Sequence, residues 1–315
     1  MTAPVRIGTR ASKLAMTQSR WVQARVAEAL GAPREAADEV APLVLITTTG
    51  DRVQDRRLFE IGGKQLFTKE IEEALLAGRI DCAVHSMKDM PAILPPGLCI
   101  AAVPEREDPR DAFLSLNVER LEDLGHGARL GTASLRRQAQ SLHRRPDLDV
   151  EMLRGNVDTR IAKLEAGQVD AILLACSGLK RLGLGHLPKS LIDPVECPPA
   201  PGQGALAIET RETDRELPWV RALQHAPTMI TVAAERGALT ALEASCKTAV
   251  GAHAWMEEGT LKLVVEALSS DGRQRFRHAA ETELFQLAQP EASARDLGLS
   301  LGYAVKEAAG DAIGH

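Results

Sequence analysis

The sequence predicts an α/β protein of two similar halves with a cleft between them, followed by a smaller α+β domain. Three observations carry that prediction. The first is Asp81-Cys82-Ala83-Val84-His85-Ser86-Met87-Lys88-Asp89-Met90-Pro91, where small and apolar residues read as a short buried strand. It leaves Lys88 and Asp89 just beyond the strand's carboxyl end, the position at which open α/β sheets bind ligands. The second is internal repetition. Leu130-Gly131-Thr132-Ala133-Ser134-Leu135-Arg136-Arg137 repeats the grammar of Ile7-Gly8-Thr9-Arg10-Ala11-Ser12, and the segment Gly167 to Ser177 echoes Gly78 to Ser86. The third is a change of pattern after His225-Ala226-Pro227, where strands joined by the hairpin turns Glu257-Glu258-Gly259 and Ser270-Asp271-Gly272 lie between two helices.

Taken in order, Val5 to Arg10 reads as a strand and glycine turn, and Ser12 caps a helix with Leu14, Val22, Val26 and Leu30 on its apolar face. Leu43-Val44-Leu45-Ile46 is expected to be a second buried strand. A polar loop runs from Thr49 to Lys64, long enough to suggest function or mobility. Thr68 starts the next helix, Ile71, Ala74 and Leu75 form its buried face, and Gly78 ends it. Proline-bracketed Pro104 to Pro109 marks a domain crossing. Leu148, Val150 and Met152 alternate as a strand, and Asn156 can cap a helix with Val157, Ile161 and Leu164 inward. Ala205 to Ile208 reads as a strand that returns to the first half. A helix from Thr228 to Leu242, strands around Val250 to Met256, Leu261 to Leu268 and Gln274 to His278, and a helix from Ala292 to Ala309 follow. The expected domains are therefore 1–104 with 205–224, then 105–204, then 225–315.

Composition narrows the function. A chain of 315 residues with net charge -5 is not, as a whole, a binder of nucleic acid or of a membrane surface. Aromatic residues make up only 3%, which removes the stacking platforms that single-stranded nucleic acids use. Met1 to Arg6 runs directly into strand-like sequence without an apolar leader, so the expected location is the cytoplasm, and a monomer is the default. The five cysteines include no CxxC pair and the histidines form no HxxH or HExxH. Neither a disulfide frame nor a metal site is expected.

Arginine is concentrated in the second half, at Arg136, Arg137, Arg154, Arg160 and Arg181, positions that periodicity leaves off the core. Arg136 and Arg137 fall in the first turn of one helix, and Arg154 and Arg160 flank the start of another. Cations there oppose the helix dipole, so an anion is expected to supply the balancing charge. Guanidinium forks suit carboxylates and phosphates. Any one of these arginines alone is compatible with a solvated surface pair. Asp89 would stay ionised among such cations, able to stabilise a developing positive charge or to relay protons. Lys64 follows Gly62-Gly63 in the long loop. Cys82, Cys99 and Cys176 lie in apolar strand-like runs and read as core residues. Cys246 instead follows a helix beside Lys247, which favours thiolate.

Thr9-Arg10-Ala11-Ser12, Gly62 to Phe67, Val84 to Pro91, Gly131 to Arg137, Leu153 to Arg160 and Pro201-Gly202-Gln203-Gly204-Ala205 follow one another over nearly the whole chain. In these strings and their order the chain resembles the porphobilinogen deaminase family. The resemblance implies two periplasmic-binding-protein-like α/β domains and a third domain that presents a loop cysteine. By the resemblance Cys246 carries a dipyrromethane cofactor through a thioether, and four porphobilinogen molecules are joined head to tail with loss of ammonia before hydroxymethylbilane is released. Asp89 would hold pyrrole nitrogens, while Arg10, Ser12, Lys64, Lys88, Thr132, Ser134, Arg136, Arg137, Arg154, Arg160, Arg181 and Gln203 would bind cofactor or substrate carboxylates. Ala244-Ser245 and Ala249 stand where the family commonly has Gly-Gly and Pro. Glu60 replaces a ligand-contacting lysine, so that role is not carried to it. The rival reading is a non-catalytic small-anion-binding protein of the periplasmic-binding-protein type, which would need neither Asp89 nor Cys246.

Overall fold

A computed structural model describes residues 3–52, 68–243, 248–283 and 288–313. Strand β1 (Ile7–Thr9) turns into helix α1 (Lys13–Ala29), whose Ala15 amide donates to the Ser12 Oγ at 3.3 Å. Short helices α2 (Ala37–Val40) and α3 (Thr49–Arg52) flank β2 (Leu43–Leu45). Helix α4 (Lys69–Leu76) buries Ile71, Ala74 and Leu75 and stops near Gly78, whose φ of +65° suits glycine best. Then come β3 (Cys82–Ser86), a single 3-10 turn over Met87–Asp89, and β4 (Leu98–Ala102). The second half runs through β5 (Asp111–Ser115), β6 (Arg129–Gly131), α5 (Leu135–Arg144), β7 (Asp149–Glu151), α6 (Val157–Glu165), β8 (Ala171–Ala175), α7 (Cys176–Arg181) and β9 (Ser190–Leu191). After it come β10 (Leu206–Arg211), α8 (Pro218–Arg221), α9 (Ala226–Ala241), β11 (Ala249–Glu257), β12 (Thr260–Leu268), β13 (Arg275–Glu283) and α10 (Pro290–Ala309).

These strands form three sheets, in the orders β2-β1-β3-β10-β4, β7-β6-β8-β5-β9 and β11-β12-β13. The first two follow one plan. In each, three strands pair in parallel and one strand, β10 or β5, runs antiparallel to both neighbours. The repeated sequence grammar thus marks a repeated local structure. Each half also uses the same clamp between its central strands. Arg6 donates from its backbone N, Nε and Nη2 to the Asp81 carboxylate at 2.8, 2.9 and 2.9 Å, and Arg129 does the same to Asp170 at 2.7, 3.3 and 3.1 Å. Two side-chain bonds and one backbone bond fix strand register with a charge-assisted fork.

The described residues fall into two compact units. One takes those of Met1–Arg56, Lys64–Glu107 and Ala205–Met229, the other those of Asp108–Gly204 and Ile230–His315. The first unit is built on the sheet containing β3, with α1 and α8 against one face and α4 against the other. The second holds the other two sheets, and the all-antiparallel sheet packs beneath α9 and α10 and beside α5. None of the helices described is long and apolar enough to cross a membrane.

Two expectations need correction. The apolar run Leu43 to Ile46 reads as a buried strand, yet β2 lies at the sheet edge and Leu45 is 61% exposed. An outermost strand is shielded less than an inner one, and four apolar residues in a row do not reveal which they will be. Cys176, placed in a strand by its apolar neighbours, is the first residue of α7. Strands β4 and β5 add to those read from the sequence.

Helices α9 and α10 cross through glycine. A Cβ at Gly298 would lie 1.9 Å from the Ala234 carbonyl oxygen, and one at Gly237 2.3 Å from that of Arg295. Backbone cannot yield as a side-chain end can. Gly298→Ala is therefore expected to lower unfolding free energy by about 1–3 kcal/mol, read as a fall in the urea midpoint at unchanged slope.

Candidate active site

In the first unit the predicted groups lie along one edge of the sheet. Strands β1 and β3 are parallel, so Arg10 and Ser12 after β1, and Lys88 and Asp89 after β3, follow carboxyl ends that face the same way. The turn over Met87–Asp89 is closed by the Met90 amide donating to the Met87 carbonyl at 3.1 Å, with both methionines buried. Burying that pair leaves Lys88 and Asp89 exposed. Asp89 makes no hydrogen bond or ion pair among the described residues. Arg10 is committed to the protein: its Nε donates to both carboxylate oxygens of Asp51, at 3.0 and 3.2 Å, and its Nη2 to one of them. Burial pushes the Asp51 carboxyl up, but Arg10 and Thr48 hold it below its ordinary value. The Ser12 Oγ serves as the cap of α1.

The second unit repeats this edge with different chemistry. The Thr132 Oγ1 accepts from the Ser134 amide at 3.1 Å, and the Ser134 Oγ caps α5 by accepting from the Arg137 amide at 3.4 Å. The cap turns Arg136 and Arg137 inward. Here the structure corrects the sequence, which left both off the core: each is 5% exposed, and both bind Asp111, itself 4% exposed. Arg136 Nη1 donates to Asp111 at 2.7 Å, and Arg137 donates from Nε and Nη2 at 3.1 and 2.8 Å. Gln203 Nε2 adds a fourth bond at 2.9 Å. Burial would push the Asp111 carboxyl up, but the two guanidinium charges hold it far below the carboxylate range. The balancing anion expected for this helix start is thus in part the protein's own.

Asp111, which joins three of the candidate residues, was not singled out from the sequence. A signal was present, since Asp111 heads an apolar strand as Asp81 and Asp170 head theirs, opposite an Arg-Arg pair of unassigned charge. Gln203 is fixed further by donating to the Pro109 carbonyl at 2.7 Å. Its neighbour Gly202 donates to Glu235 Oε2 at 2.6 Å, and Glu235 Oε1 accepts from the Ala254 amide at 2.9 Å, so α9 and β11 hold this loop. Arg181 Nη2 donates to the Gly204 carbonyl at 2.7 Å.

Arg154 and Arg160 differ from the Asp111 pair. Asn156 caps α6 by accepting from the Thr159 amide at 2.8 Å, which sets Arg154 before the helix and Arg160 in its first turns. Arg160 Nε donates to the Gly155 carbonyl at 2.8 Å, and neither arginine has a carboxylate partner among the described residues. Arg154 Nη1 is buried without a hydrogen-bond partner. Burial, with the charges of Arg137 and Arg154 added, pushes the Arg160 guanidinium down to about 10. Arg137, Arg154 and Arg160 therefore form a cationic surplus that one carboxylate does not cancel. Such a surplus, with a buried unused donor, suits a ligand bearing carboxylates.

Residues 5–218 match the protein family described as "Porphobilinogen deaminase, dipyromethane cofactor binding domain", and residues 229–307 match "Porphobilinogen deaminase, C-terminal domain". A porphobilinogen deaminase from Phenylobacterium zucineum (strain HLK1) is 74% identical over 312 residues, 98% of each chain. The chain belongs to the porphobilinogen deaminase family. A second porphobilinogen deaminase, from Caulobacter vibrioides, is 65% identical over 314 residues, covering 98% of this chain and 97% of its own. Among solved structures, the methionine-binding protein MetQ aligns at TM-score 0.43 and 14% identity, over 70% of this chain and 90% of its own. A periplasmic substrate-binding protein of an ABC transporter from Coxiella burnetii aligns at 0.42 and 16%, over 74% and 96%.

Two candidates that the porphobilinogen deaminase resemblance singles out, Lys64 and Cys246, lie outside the described residues, as do Glu60 and Ala244-Ser245. Ala249 is described and opens β11, buried against Leu268.

The Asp111 hub makes a testable demand. Asp111→Asn leaves two buried guanidiniums without their counter-charge, for an expected loss of about 3–5 kcal/mol at neutral pH. Because the folded carboxyl is depressed, its contribution is complete above the unfolded value of about 4 and fades as pH falls below it. The stability gap between wild type and variant, measured by urea unfolding, should therefore narrow from about pH 4 toward pH 2.

Proposed function

We propose that this protein is a hydroxymethylbilane synthase, a transferase that joins four porphobilinogen molecules head to tail on a dipyrromethane primer, releases ammonia at each step and finally frees the linear tetrapyrrole, acting as a cytoplasmic monomer. The supporting observation is the pair Arg154 and Arg160. They have no carboxylate partner among the described residues, and one buried Nη1 is unused, in the region matched to a cofactor-binding domain. The residues present therefore fit a group that carries several carboxylates. When bound, the dipyrromethane supplies a pyrrole carbon to which the first substrate unit is joined.

The rest falls to the chain's own residues. Arg154 and Arg160 bind acetate and propionate groups bidentately, and binding restores hydrogen bonding to a guanidinium held in a poorly solvated place. Arg136 and Arg137, anchored by Asp111, Gln203 and Arg181 supply a rigid cationic wall, and Thr132 and Ser134 add hydroxyl donors. Asp89 accepts from the substrate's pyrrole N–H and offsets positive charge as the amine departs. With no hydrogen bond or ion pair among the described residues, it needs no rearrangement to do so. Lys88, Arg10, Ser12 and Lys64 are further carboxylate-binding groups. Cys246 tethers the primer through a thioether, a bond that needs a nucleophilic sulfur.

Three measurements test this reading. Intact mass of the wild type should exceed the sequence mass by one dipyrromethane, and Cys246→Ser should lack the increment; a bare wild-type mass with no turnover of porphobilinogen would overturn the assignment. Asp89→Asn should lower kcat by about 10²–10⁴ while the melting temperature stays put, since Asp89 is exposed and has no hydrogen bond or ion pair among the described residues to lose. Arg154→Met should raise KM for porphobilinogen about tenfold or more, the worth of one charge-assisted bond.

A further inference from the structure

The two five-stranded sheets share one register, so the second shows what the fold itself requires of the first. Gly8 pairs with Ala83 as Gly131 pairs with Ile172. His85 therefore corresponds to Leu174, and, across the antiparallel ladder, Glu209 corresponds to Leu114. Counting back from the helix-ending glycines Gly78 and Gly167 sets Glu72 against Ile161. In the second half all three positions are apolar and share one core. In the first half they hold two acids and a histidine, all buried.

This cluster is oriented. His85 Nε2 lies 3.0 Å from Glu209 Oε2, joining β3 to β10 on the face covered by α4. Glu209 Oε1 and Glu72 Oε1 are buried without hydrogen-bond partners. Burial, with the charge of Glu209 added, pushes the Glu72 carboxyl up. Groups like these oppose folding unless they are fully satisfied, and the second half does without them. What the first half alone has, directly after the strand, is the turn that carries Asp89. After β8 the chain continues as helix α7 instead.

We propose that His85 and Glu209, beside the buried Glu72, are positioning residues that lock β3 against β10, so that the Met87–Asp89 turn leaves the sheet at one fixed place. The inference rests on the reading of Asp89 as the reacting carboxylate. An apolar core holds a strand by buried area, which tolerates a small slide, whereas a bond of 3.0 Å between side chains does not. Strand β10 also shifts register against β4 between Ile208 and Glu209, so the side-chain bond adds a restraint beside an irregular ladder. The next residue is pinned on the opposite face: Gln18 Nε2 donates to Ser86 Oγ at 3.0 Å. The Met87 amide then donates to the Ala205 carbonyl at 3.0 Å, the last rung before Asp89.

The second half supplies the test. A full-length variant combining Glu72→Ile, His85→Leu and Glu209→Leu should melt at or above the wild-type temperature, load its cofactor, and keep KM for porphobilinogen within about threefold. Its kcat should fall about 10²-fold, the loss expected from a reacting group displaced by about an ångström. Amide exchange in the segment around Met87 should speed up. Glu209→Gln, which keeps an acceptor for His85, should recover kcat to within about fivefold of wild type. A triple variant that turns over at the wild-type kcat or fails to fold overturns the proposal, as does a Glu209→Gln protein as slow as the triple variant. Unchanged exchange around Met87 overturns the lock even if the wild type is inert toward porphobilinogen, and that inertness alone would overturn only the functional reading.

Discussion

The second unit depends on a buried carboxylate that stays ionised. Asp111 sits where water cannot solvate it, and two guanidiniums and an amide replace that solvation. In doing so it joins three pieces of chain that are far apart in sequence: the head of β5, the first turn of α5 and the loop around Gln203. Each partner is then fixed more tightly than packing alone would fix it. Arg136 and Arg137 cannot swing toward solvent without exposing an uncompensated charge, so the wall they form is rigid. Arg154 and Arg160 lie outside this arrangement, and a guanidinium pushed down by burial and by its neighbours keeps a standing demand for anions.

The two halves show how one plan diverges. Both keep the arginine–aspartate clamp at the base of the central strands, and both end the helix before β3 or β8 at a positive-φ glycine. They differ at the carboxyl edge. There the first half presents a lone exposed carboxylate on a tight turn, and the second a surplus of buried cations. Equivalent edges of a repeated scaffold thus carry different chemistry. The buried histidine and glutamates under the carboxylate-bearing edge are part of the same divergence.

Much of this was legible in the sequence because it is local. The caps Ser12 and Asn156, the glycine end at Gly78, and the strand before Asp89 follow from neighbours a few residues away. The match between the two halves could be read from Gly-Thr and Ser recurring in step. What escaped was non-local. The sequence shows Arg136 and Arg137 as unneeded by the core, but their partner stands 25 and 26 residues away on another strand. Leu45 looks buried because an apolar run does not state how many neighbours its strand will have. His85 passes as a single histidine near the site until β10, folding back from beyond residue 205, brings Glu209 against it.

That return of β10 also orders events at the ribosome. Residues 206–211 insert between β3 and β4, so the first sheet cannot close until nearly all of the second half has been synthesised. The second sheet is assembled from strands lying between Asp111 and Leu191, and it can be complete while the amino-terminal strands still expose an unpaired ladder edge. Such an edge recruits stray strands. The order of emergence therefore makes the amino-terminal third the part of the nascent chain most in need of shielding, although it is the first to leave the exit tunnel.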